Sequence, residues 1–154
     1  MKNYIFAFLV AALPMSIHAQ TAEDVVHNLG ISTIAAVYDF NAEDDPNNQL
    51  GRPNQYIQKV SWADSRIDPH DFSDENEEEI NDLDPVEYKG GTIEKFRNQA
   101  DLNRRYTYIK NITLNAPIFN QYMYKKGLFL MRLDKGFSPA QAKVYEQKFN
   151  SVVK

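Results

Sequence analysis

The residues able to do chemistry are carboxylates in excess, a few histidines and many hydroxyls. The chain has 21 Asp and Glu, three His and no Cys among 154 residues. Paired carboxylates are the means of glycoside hydrolysis, one acid protonating the leaving oxygen while the other acts as base or nucleophile. With so many acids a close pair arises by chance, and a sugar cleft also wants aromatic walls, whereas the chain holds a single Trp. Nucleophilic catalysis finds no Gly-x-Ser-x-Gly turn around a serine, and neither His27 nor His70 sits in such a pattern. A zinc site lacks the His-Glu-x-x-His spacing. The run Asp74-Glu75-Asn76-Glu77-Glu78-Glu79 offers oxygen ligands suited to calcium, but lacks glycine at the sixth position and has Pro85 in place of Glu at the twelfth. No catalytic residue, metal ligand or cofactor site is therefore assigned.

Recognition chemistry is better represented. Leu50, Arg52 and Tyr56 lie in a segment punctuated by Asp45-Pro46-Asn47 and Gly51-Arg52-Pro53-Asn54. Turns present such side chains outward, and Arg and Tyr offer a planar fork and a stiff amphipathic ring. These three are the candidate partner-binding residues. The competing reading is a structural loop whose prolines fix its path, with Arg52 bonded to a carboxylate such as Asp64. Arg132, inside the apolar run LFLMRL, either emerges at a strand end or is ion-paired within, because a buried unpaired Arg is too costly to keep.

The elements that must position these groups follow from caps and periodicity. Thr21 and Asp24 form a capping box for a short helix with Val25, Val26 and Leu29 inward, ended by Gly30. Residues 31–40 are rich in β-branched and aromatic types and read as a strand. A loop spans 41–56 and a second strand 57–63, where Val60 and Trp62 share a face. After Gly90-Gly91, residues 92–96 make a third strand. Asn98 caps a helix whose inner face is Leu102, Tyr106, Ile109 and Thr113. A hairpin turning at Gly127 occupies 121–133, and LFLMRL is its candidate central strand. Ser138, Pro139 and Gln141 start a last helix with Ala142, Tyr145, Phe149 and Val152 inward. The expected fold is α+β in two layers: a mostly antiparallel sheet with helices on one face.

Charge divides the chain. Residues 20–88 carry 3 basic and 17 acidic side chains, residues 89–154 carry 13 and 4. Nine acids fall between Asp68 and Asp84 with no Lys or Arg among them, which predicts a solvated excursion. The acidic half disfavours a nucleic-acid partner, and no nucleic-acid-binding motif is present. Lys2, the apolar run 4–17 and the small residue Ala19 form the pattern of a cleavable export signal over residues 1–19. The run is shorter than the ~20 residues of a bilayer-spanning helix, so no transmembrane segment is expected after cleavage. The single domain is then 20–154, periplasmic or secreted, and stable without disulfides because a chain of this length buries an ample core.

Three segments together carry a resemblance: DPNNQLGRPNQY (45–56) running into IQKVSWADSR, GGTIEKF (90–96), and LMRL with SPAQAKVY near the C-terminus. They resemble a group of small exported bacterial proteins, many of them lipoproteins of Gram-positive organisms, without assigned activity. The resemblance implies a one-domain extracytoplasmic α+β protein and no catalytic residues. The lipidated Cys of that group is missing here, which implies an unanchored form. The leading expectation is a soluble, non-enzymatic binding protein engaging another protein or an envelope component. The alternatives are an envelope-polymer hydrolase using acids of 64–84 and a calcium-responsive structural protein.

Overall fold

The structure, a computed structural model, describes residues 19–73 and 83–154. The export segment expected at 1–19 and the middle of the acidic stretch lie outside the described residues, apart from Ala19. Helix α1 (Ala22–Asn28) carries the capping box: Thr21 Oγ1 accepts from the Asp24 amide at 3.0 Å, and Asp24 Oδ2 accepts from the Thr21 amide at 2.8 Å. Strands β1 (Ile34–Asp39), β2 (Gln58–Asp64) and β3 (Gly90–Lys95) follow, then helix α2 (Gln99–Asn115), strands β4 (Gln121–Lys126) and β5 (Phe129–Asp134), and helix α3 (Pro139–Val152).

The five strands form one antiparallel sheet in the order β1-β2-β3-β5-β4. The α+β class and the antiparallel sheet are as expected. LFLMRL, expected as the central strand, instead forms β5, an inner strand beside the central β3.

The placement of the helices departs from the expectation of a single covered face. Successive strand residues point to opposite faces. Val60, Trp62, Ile93, Phe129, Met131 and Leu133 form one core with α1 and α3, whose Val25, Leu29, Ala142, Tyr145 and Phe149 complete it. Leu130 points the other way and joins Tyr56, Phe96, and Leu102 and Ile109 of α2 in a second core. The helices therefore divide between the two faces. The physical reason is that both faces of β3 and β5 carry buried groups, Ile93 beside Glu94 and Met131 beside Leu130. Each fully buried large apolar side chain contributes about 1.5–3 kcal/mol.

Trp62 anchors the first core. Its ring stacks on Tyr145 at 5.7 Å, and its Nε1 donates to the Tyr145 hydroxyl at 3.0 Å. That hydroxyl donates to Asp64 Oδ2 at 2.7 Å, and Arg66 Nε donates to Asp64 Oδ1 at 2.8 Å. Burial works to raise the Asp64 pKa, but the bonds from Arg66, Tyr145 and Thr33 outweigh it and lower it. Gly90 and Gly91 have no room for a side chain: a Cβ on Gly91 would stand 2.6 Å from the Trp62 Cη2 and 2.8 Å from the Arg132 carbonyl oxygen.

The start of the acidic stretch is anchored, against the expectation of a solvated excursion beginning at residue 68. Asp68 is buried; its Oδ2 accepts from the Lys89 amide at 2.6 Å, and its Oδ1 lies 2.8 Å from His70 Nδ1. Asp84 caps a short 3-10 turn, Pro85–Glu87.

Candidate functional site

On the sheet face covered by α2, charged side chains are packed beside the second apolar core. Glu94 on β3 is fully buried. Arg105 reaches it from α2 because it lies three residues after Leu102 and four before Ile109, on the inward stripe of the helix. Its Nη2 donates to Oε1 at 2.9 Å and its Nε to Oε2 at 3.2 Å. Arg132 comes from the neighbouring strand β5, paired in register with Thr92, and its Nη2 donates to the same Oε1 at 3.0 Å. Burial opposes the charge on Glu94, but Arg132 and Arg105 together outweigh burial and lower its pKa. Arg132 is thus ion-paired within the protein, one of the two placements its sequence context allows.

A second charged pair adjoins the first. Lys59 sits opposite Glu94 in the β2–β3 register and donates from Nζ to Asp45 Oδ1 at 2.8 Å, with both residues buried. Asp45 organises the preceding loop: its Oδ2 accepts from the amides of Gln49 at 2.8 Å and Leu50 at 3.0 Å and from the Tyr56 hydroxyl at 2.7 Å. Burial pushes the Asp45 pKa up, yet the bonds from Lys59, Tyr56 and Gln49 win and hold it well below the usual carboxylate range. The same burial lowers the pKa of Lys59, and the bond to Asp45 opposes that shift.

Over these charges lies a cleft of about 740 Å³ between the loop and α2. The loop wall is amide-rich: Asn47, Gln49, Asn54 and Gln55. The helix wall is apolar, with Tyr108, Ile109 and Ile112, and Phe119 follows in a 3-10 turn (Pro117–Phe119). Arg104, Arg105, Gln121 and Arg132 supply the remaining lining. A smaller cavity of about 350 Å³ shares Phe119, Gln121 and Arg132, so the two meet there. Tyr108 and Phe119 remain 58% and 60% exposed despite bordering this space. Arg104 ties helix to loop, with Nη1 donating to Asp101 Oδ1 at 2.9 Å and to the Asn54 carbonyl at 3.3 Å.

The three residues expected to present a partner surface do not share an exposed face. Tyr56 is fully buried, its hydroxyl committed to Asp45 and its ring edge-on to Phe96 at 6.3 Å. It is a core residue, because the next strand begins two positions later and draws its ring under α2. Leu50 is half-buried against the second core. Arg52 alone stands exposed, and its Nη2 donates to Asn48 Oδ1 at 2.6 Å, not to Asp64. The loop does border the cleft, but through Asn47, Gln49, Asn54 and Gln55.

Sequence reasoning did not assign Arg104, Arg105, Tyr108 or Phe119 to a site. The available sign was Arg132 lodged in the apolar run LFLMRL, with an Arg pair on the preceding helix and Glu94 on the strand before that helix. His27 and His70 take separate partners: His27 Nε2 lies 3.6 Å from Glu23 and His70 bonds Asp68. Among the described residues no group of three His, Asp or Glu is arranged to hold a metal ion, and no helix is long and apolar enough to cross a membrane. Compared with protein-family models, curated proteins and solved structures, the chain matches none.

Proposed function

We propose that the protein is a small exported binding protein of the bacterial envelope or extracellular space, and that the cleft between loop 45–56 and α2 holds what it binds. One observation carries this reading: a cavity of about 740 Å³ gathers amides, guanidiniums and exposed aromatic rings over a pre-paired charged floor. Donors and rings of this kind orient a ligand. Among the described residues, the side chains lining the cleft are amides, guanidiniums and apolar groups. The export pattern of residues 1–19 and the resemblance to small exported bacterial proteins support the location.

The test is to incubate the purified protein with envelope extract and record bound species by native mass spectrometry. A Tyr108→Ser/Phe119→Ser variant serves as comparison, since both rings are exposed and their loss leaves the cores intact. The reading expects a retained ligand with the parent protein and none with a variant of unchanged melting temperature. The same ligand on both, or none on either, contradicts it.

A further inference from the structure

Two guanidiniums meet one carboxylate beneath the cleft, so the Glu94–Arg105–Arg132 group keeps one positive charge in excess. The neighbouring Lys59–Asp45 pair is neutral in sum and does not offset it. Arg132 is also incompletely satisfied. Its Nε is buried with no hydrogen-bond partner, and its Nη1 makes only a long bond of 3.3 Å to Gln121 Oε1. Arg105 spends Nε and Nη2 on Glu94 and has no further hydrogen bond among the described residues. Charge in excess on two half-buried guanidiniums that line the cleft is poorly solvated, and an anion at this floor offsets it.

The cleft's walls define the rest of the occupant. Tyr108, Ile109 and Ile112 lie within one turn of α2 and, with Phe119, form a continuous apolar side. We infer that the cleft takes an amphipathic organic monoanion, with its carboxylate at Arg132 and Arg105 and its apolar body along Tyr108, Ile112 and Phe119. This rests on the cleft being the binding site and adds the class of ligand. A monocarboxylate matches the single charge in excess and the planar guanidinium fork.

The experiment is calorimetric titration of the full protein with octanoate, octanamide and acetate at low salt. Octanoate is expected to bind saturably at one equivalent. Octanamide lacks the charge and acetate lacks the apolar body; each is expected to bind at least about tenfold more weakly, the scale of one charge-assisted hydrogen bond. Arg132→Gln is expected to abolish the preference for octanoate over octanamide. Should that variant fail to fold, Phe119→Ser is expected to weaken octanoate while leaving acetate unchanged. Equal binding of octanoate and octanamide overturns the inference, as does absence of octanoate binding. If an extract ligand is still retained in the cleft in that case, the ligand class fails while the binding site stands. If neither is retained, both fail.

Discussion

Arg105 and Arg132 converge on a single oxygen atom, Oε1 of Glu94, at 2.9 and 3.0 Å. One guanidinium arrives from helix α2 and the other from strand β5. The shared carboxylate pins the helix to the sheet and leaves the floor of the cleft cationic. A chain lacking this arrangement could close α2 on the sheet with apolar groups alone. Buried ion groups of this kind are often no more stabilising than an apolar substitute, so their presence directs attention to the space above them.

Glu94→Gln leaves two guanidiniums facing each other without their anion. The variant should lose about 3–5 kcal/mol of folding stability, the cost of breaking a buried charged group. Urea unfolding followed by the fluorescence of Trp62 measures it. A loss under about 1 kcal/mol would show that the guanidiniums find solvent instead.

Loop 45–56 separates into a buried hub and an exposed arm. Tyr56→Phe removes the hydroxyl that donates to Asp45 and should cost about 1–3 kcal/mol. Arg52→Ala removes an exposed bond to Asn48 and should stay within about 0.5 kcal/mol of the parent. Chemical denaturation of the two variants side by side decides it, and the reverse order would contradict the placement of Tyr56.

Tyr145→Phe deletes the hydroxyl that links Trp62 Nε1 to Asp64. A buried indole N–H is then left unpaired, at a cost of about 1–3 kcal/mol. Thermal unfolding by circular dichroism should record a lower Tm, and an unchanged Tm would mean that Trp62 finds another acceptor.

Acid should destabilise the protein through Asp45, Asp64 and Glu94, whose pKa values are all lowered in the folded state. A lowered folded value means that the unfolded chain takes up protons first. The stabilisation is complete above the unfolded values of about 4 and is lost as pH falls through the lower, folded values. Denaturation midpoints should therefore be level from about pH 6 to 5 and decline below about pH 4. A midpoint constant down to pH 3 would contradict the assignment of these three carboxylates as partnered anions.

The elements were readable in the chain because their signals are local. Thr21 with Asp24 and Ser138 with Gln141 form the capping boxes their spacing predicts, and Gly127 turns the hairpin at φ +53°. What was not readable is which face each element covers. Glu94 in TIEKF alternates with Ile93 and reads as a solvent-facing residue of a half-buried strand. It is buried because α2 crosses above it, and that placement depends on contacts distant in the chain. Tyr56 misleads for the same reason, since a turn-rich neighbourhood suggests exposure and only the tertiary fold draws the ring under α2. For Arg132 the cost of burial left two placements open, a strand end or an ion pair, and the partner that decides between them was not legible. Gly90 and Gly91, the first residues of β3, read as a point of re-entry, whereas the structure gives them a packing reason in Trp62, its backbone beside Gly90 and its ring beside Gly91.

The most direct test of the cleft is NMR observation of the arginine Nε–H groups during titration with octanoate. The account predicts a saturable shift of the Arg132 Nε–H, accompanied by the amides of Tyr108, Ile112, Phe119 and Gln121. Perturbation confined to other surfaces, or no saturable change at Arg132, would contradict it.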